Sequence, residues 1–218
     1  FRPVTNIFLD MLKKGVKQFE NEADVDDDKI CILSELTLRN LEDGTNQIDE
    51  KDFLDRVDIL CSLGQTVLIS NFHEYFKLVA YLSQFTKLRM ALIMGMPNLE
   101  YIFDETHYRD LPGGIISAFA SLFGQKIKLY LYPTLNEQGE IIHLNTFKTE
   151  PHLAGLLTYL KDNEKLEDIQ KYDENLMTIR TDNVLGMIQH GVGDWEKMVP
   201  ASVAKQIKEN HLFGYANH

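Results

Sequence analysis

Four short, almost unbroken apolar runs punctuate this chain: Ile30 to Leu33, Thr66 to Ile69, Met90 to Met94 and Ile127 to Tyr132. A strand that is apolar on both faces must be covered on both faces, which favours a parallel sheet packed between helices. The intervening segments supply those helices. Asp49 to Leu63 carries Phe53, Val57, Leu60 and Cys61 at helical intervals and stops at Gly64. His73 to Phe85 repeats the pattern with Phe76, Val79, Ala80 and Leu82. The longer stretch Pro97 to Gly124 reads as a short helix, a polar loop and a second helix from Gly114 to Phe123.

The first segment, Thr5 to Phe19, spaces Ile7, Phe8, Met11, Leu12 and Phe19 as one side of an amphipathic helix. The acid-rich run Asn21 to Asp28 follows and reads as a solvated loop, because its consecutive acids Asp26 to Asp28 repel one another and the central glycine of a calcium loop is missing. After Pro133, turn residues at Asn136 to Gly139 lead into the alternating stretch Glu140 to Phe147, a hairpin or edge strand. Helices then dominate, over His152 to Leu160, Val184 to Gln189 and Ala201 to Glu209. The simplest architecture is one α/β domain over residues 1–218: a three-layer, Rossmann-like fold with a mainly parallel sheet and a helical C-terminal part. Part of a β/α barrel shows the same alternation and is the alternative.

Charge removes several classes of partner. With 33 acidic and 22 basic residues the formal charge is -11, a field that repels phosphate backbones and anionic headgroups, so neither nucleic acid nor a membrane is expected as a partner. No apolar run approaches the roughly 18 residues of a membrane helix. Cys31 and Cys61 lie in no CxxC or Cys/His cluster and read as small buried hydrophobes, a usage that suits a reducing compartment such as the cytoplasm. The histidines at 143, 152, 190, 211 and 218 lack metal-ligand spacing, so no metal site is expected. A lone Trp195 is read as a packing anchor.

In open parallel sheets a ligand sits beyond the carboxyl ends of the strands. The loops there present Glu35, Ser70, Asn71 and His73, a set able to hold a polar molecule and move a proton, with Ser70 and Asn71 equally suited to cap the next helix. The stretch DETHYRDLPGG, Asp104 to Gly114, adds His107 and Arg109 ahead of Gly113, Gly114 and a helix start, where free backbone amides and a guanidinium suit an anion. These eight residues are the ligand-binding candidates for an anionic small molecule. No GxGxxG, GxxxxGK[ST] or GxSxG motif is present, so the pattern names no cofactor, no catalytic residue and no reaction.

The stretches FRPVTNIFLDML, IDEKDFLDRVDIL, VLISNFHEYFKLVAYL, MGMPNLEYIFDE and WEKMVPASVAKQIKENHLFGY together resemble a family of bacterial proteins labelled nicotinamide or nicotinate mononucleotide adenylyltransferase, or TonB-dependent receptor. The resemblance covers essentially the whole chain. Family members are longer, and the chain opens at Phe1, so the resemblance implies a C-terminal domain preceded by an N-terminal region that would be a natural partner, alongside a second copy of the chain. It also implies nucleotide-like ligands. The chain carries no HxGH signature, and its continuous apolar strands do not suit a transmembrane β-barrel. Two functions follow as expectations: binding of an anionic or nucleotide-like ligand within a nucleotide-metabolising enzyme, or a non-catalytic interaction module.

Overall fold

In a computed structural model the described residues are 2–38, 50–124 and 126–215. Asp49, where the sequence starts its second helix, and His218 lie outside them. The chain is α/β with open, mainly parallel sheets, and packing divides it into two compact units. One comprises Phe1–Asp10, Cys31–Phe72 and Asp173–His218; the other comprises Met11–Ile30 and His73–Tyr172.

The second unit is built around three parallel strands in the order β3 (Met90–Gly95), β4 (Ile127–Tyr132), β7 (Leu166–Asp168). All six residues of β4 are buried, as its central place requires. The pleat sends alternate residues to opposite faces. Register pairs Ile93 with Tyr130 and Tyr130 with Glu167, so these share one face, and α1 (Asn6–Phe19) lies against it. Gly15 of α1 approaches Ile93 so closely that a Cβ there would stand 2.8 Å from Ile93 Cγ2, and the Phe19 ring meets Tyr130 edge-on at 6.4 Å. On the opposite face Met94, Ile127, Leu129, Leu131 and Leu166 form the main core with α4 (Met96–Phe103), α5 (Gly114–Phe123) and α6 (Ala154–Asp162). Helix, sheet and helix make the three layers expected. The short α3 (Tyr75–Leu82) packs on α5, and a two-residue hairpin pairs β5 (Thr134–Leu135) with β6 (Ile141–Ile142) antiparallel.

The acid-rich segment proves to be more than a solvated loop. Lys128 and Tyr130, on the α1 face of β4, both donate to Glu22 at 2.6 Å, and Lys128 also pairs with Glu167 at 2.5 Å. Asp24 accepts from Arg89 at 2.5 Å. Burial alone would raise the Glu22 carboxyl, but the hydrogen bonds from Lys128 and Tyr130 and the nearby positive charges outweigh it and hold the group below the usual carboxylate range. Asp26 to Asp28 are exposed as expected.

The first unit holds β1 (Leu33–Thr37) and β2 (Thr66–Ser70) as a parallel pair, with α2 (Glu50–Ser62) leading from one to the other. The strands at these runs therefore form two hydrogen-bonded sheets rather than one continuous sheet, and the first is displaced: β1 starts at the last residue of the run Ile30 to Leu33, so that Glu35, expected in the loop beyond the strand, lies within it. Nor are the runs of this pair covered on both faces: Leu33 and Ile69 are 41% and 50% exposed. Its core instead joins Leu36, Ile59 and Leu60 to α7 (Thr181–His190) and α8 (Ala201–Asn210) through Val184, Ile188, Val203 and Ile207. Trp195 is 4% exposed in that core, the packing anchor expected. Cys31 and Cys61 are both exposed, against expectation: β1 starts two residues after Cys31, and Cys61 falls on the open side of α2. No helix of the described residues is long and apolar enough to cross a membrane.

A glycine inside a helix costs about 1 kcal/mol relative to alanine, so Gly15 is explained by the close approach of α1 to β3. Gly15→Val should lower stability by about 1–3 kcal/mol through overpacking, and Ile93→Ala should recover part of that loss in the double variant. Chemical denaturation of the four proteins of this cycle checks it; additive losses would contradict the contact.

Candidate functional site

The eight residues singled out from the sequence fall into two sets. Glu35, Ser70 and Asn71 belong to the first unit; His73, His107, Arg109, Gly113 and Gly114 belong to the second.

In the first unit, Ser70 at the end of β2 donates its hydroxyl to Glu35 of β1 at 2.6 Å and accepts the Phe72 amide at 3.1 Å. The pair is local turn chemistry joined to a cross-strand contact. Burial pushes the Glu35 carboxyl above the ordinary glutamate range, and the Ser70 hydrogen bond only partly offsets it. Asn71 is exposed and makes no side-chain hydrogen bond among the described residues. Neither residue caps α3, whose N-cap is Glu74.

In the second unit, His73 and His107 flank one ring. The His107 and Tyr101 rings lie 3.8 Å apart, tilted by 30°, and His73 meets Tyr101 edge-on at 6.2 Å. The Tyr101 hydroxyl is buried without a hydrogen-bond partner among the described residues, and burial, followed by the charges of Glu74 and Asp104, raises its pKa. The two histidines thus belong to an aromatic cluster at the start of α3 and the end of α4.

Beside that cluster the chain forms a cleft of about 920 Å³, within the range of small-molecule sites. Its lower lining is aromatic and nearly buried: Phe103, Tyr108 and Phe147 are 5%, 5% and 9% exposed. Tyr108 is fixed by donating to the Ile102 carbonyl at 2.8 Å, and Phe103 meets Phe147 edge-on at 5.9 Å. The polar lining comes from two stretches far apart in sequence, Asp104, Glu105, Thr106 and Arg109 in one and Lys148, Thr149 and Glu150 in the other, with Glu100 of α4. Asp104 accepts the Thr106 amide at 2.9 Å; this bond, helped by the charges of His107 and Arg109, depresses its carboxyl pKa. Glu105 is engaged by His152 Nε2 at 2.5 Å. Arg109 and Lys148 have no hydrogen-bond or ion-pair partner among the described residues.

Gly114 and Ile115, at the start of α5, also line the cleft. Gly113 and Gly114 have φ of 84° and 55°, conformations that favour glycine, and a Cβ on Gly113 would stand 2.7 Å from Ser117 Oγ. The glycines serve the turn rather than an open anion cradle, since the Gly114 amide already donates to Leu111 O at 2.8 Å. The first intrahelical bond runs from Ser117 to Gly113, which leaves the amides of Ile115 and Ile116 ahead of it. Of the eight candidates, then, Arg109 and Gly114 line the cleft, and His73, His107 and Gly113 do not.

Lys148, Thr149 and Glu150 were missed because they follow the β5–β6 hairpin, where nothing in the sequence marks a site. Among the described residues no group of three or more His, Cys, Asp or Glu side chains is arranged to hold a metal ion. Compared with known proteins, the chain matches no family model and no curated protein.

Because the Glu35 value is raised in the folded state, its ionisation opposes folding; the penalty is absent below the usual glutamate range and grows as pH rises through it. Glu35→Gln should therefore melt close to the wild-type temperature near about pH 3.5 and above it near about pH 7. Thermal melts at the two pH values check this, and a difference in Tm independent of pH would contradict it.

Proposed function

We propose that the second unit binds a small anionic ligand, of the nucleotide or sugar-phosphate kind, in the cleft beneath Arg109 and Lys148. One observation carries the reading. In a chain where acids outnumber bases 33 to 22, two cations line the same cleft, beside the carboxylates of Glu100, Asp104, Glu105 and Glu150, without a hydrogen-bond or ion-pair partner among the described residues. The start of α5 supplies a further positive end to that cleft, and an anion there gains charge-assisted hydrogen bonds from Arg109. Apolar walls at Phe103, Tyr108 and Phe147 suit a ring or sugar carried by the same ligand. The reading assigns binding, with no residue given a catalytic role.

Thermal-shift screening against nucleotides, nicotinamide mononucleotide and sugar phosphates, with and without magnesium, finds the ligand, since one present at a hundred times its Kd stabilises by about 2.7 kcal/mol. Arg109→Ala and Lys148→Ala should each weaken the best ligand by about tenfold while leaving the unliganded Tm within a degree or so. Unchanged affinity in both variants would remove the cleft as the site.

A second reading, self-association, is favoured by a separate feature of the same unit. Tyr81, Phe85 and Leu88 are 43%, 71% and 65% exposed in one short stretch, with the Tyr81 and Phe85 rings 5.1 Å apart. It predicts a sedimentation coefficient that rises with concentration and a Phe85→Glu variant that stays monomeric; a wild-type monomer at all concentrations would dispose of it.

A further inference from the structure

We infer that the ligand of this cleft is a zwitterion, carrying an ammonium group as well as its anionic group, a refinement that rests on the reading of the cleft as an anion site. The cleft does not present cations alone. Of its four carboxylates, Asp104 is engaged by the Thr106 amide and Glu105 by His152, whereas Glu100 and Glu150 have no side-chain partner among the described residues. Two carboxylates therefore line the same space as two cations, all four without a hydrogen-bond or ion-pair partner among the described residues.

A purely anionic ligand drawn in by Arg109 and Lys148 also meets repulsion from Glu100 and Glu150. A ligand with an ammonium group satisfies both pairs at once. Lys148 and Glu150 lie two residues apart in one loop, so the loop that supplies a cation also supplies a carboxylate.

The test compares ligands that differ only in the positive charge, by calorimetry on the whole chain. One matched pair is phosphocholine and 3,3-dimethylbutyl phosphate; a smaller pair is phosphoethanolamine and propyl phosphate; inorganic phosphate reports on the anion site alone. The zwitterion of at least one pair should bind about tenfold more tightly than its neutral-ended partner. In Glu100→Gln/Glu150→Gln the preference should fall to about one, with the neutral-ended ligand bound as well as before or better, because its repulsion has been removed. If both members of both pairs bind equally and Arg109→Ala weakens them all, the anion site stands and the zwitterion assignment is overturned. If neither inorganic phosphate nor any of the four binds in a manner sensitive to Arg109→Ala, the anion site itself is overturned. A preference that survives in the double variant also refutes the assignment, because the positive group is then recognised elsewhere.

Discussion

The second unit depends on β4, a strand of six buried residues whose two faces make opposite demands. On one face Ile127, Leu129 and Leu131 enter a wholly apolar core with α4 and α5. On the other, Lys128 and Tyr130 bring an ammonium and a phenol into an interior position, and neither can stay there unpartnered. Glu22 and Glu167 both pair with the lysine, and Glu22 also accepts the hydrogen bond of the Tyr130 hydroxyl. Removing one member of such a buried group leaves a charge without compensation, so the segment after α1 is held to the sheet by chemistry that few other sequences would satisfy. The cleft is a consequence, since its aromatic wall is the far side of the apolar layer that β4 organises.

The first unit handles buried charge in a different way. Asp52 and Arg56, one turn apart on α2, are both nearly buried and pair with each other, while Arg2 reaches Asp52 at 2.6 Å. Asp55, on the same helix, accepts the backbone amide of Phe213 at 3.0 Å. These contacts tie residues at both ends of the sequence to one helix. In a chain with a net charge of -11, several acids are thus spent on fixing structure.

The alternation of apolar runs with helical periods was enough to read the α/β class, and β2, β3 and β4 appear within a residue of their expected limits. Continuous apolarity misled on two points. It implies full burial, yet Leu33 and Ile69 are exposed; and it carries no information on which strands share hydrogen bonds, so it does not distinguish one sheet from the separate β1–β2 and β3–β4–β7. The three-residue strand β7 went unread because LED carries no strand signal of its own; pairing with β4 creates it. Arg109 was legible as a cleft residue because it stands in a polar loop before a helix. Lys148 was not, because its relevance comes only from the fold bringing residue 148 to residue 109, which no local pattern encodes. Gly113 and Gly114 read in the sequence as unobstructed amides at a helix start; their positive φ serves a tight turn, and the Gly114 amide is already occupied by Leu111 O.

The proposed ligand site is a cleft lined by charges of both signs that have no hydrogen-bond or ion-pair partner among the described residues. The most direct measurement is a nuclear magnetic resonance titration of the isotopically labelled chain with inorganic phosphate. The account predicts that the Arg109 guanidinium, the Lys148 side chain and the Ile115 and Ile116 amides shift together along one saturating curve. Shifts confined to cations outside the cleft, such as Arg89 and Lys126, or no saturable shift at all, would contradict it.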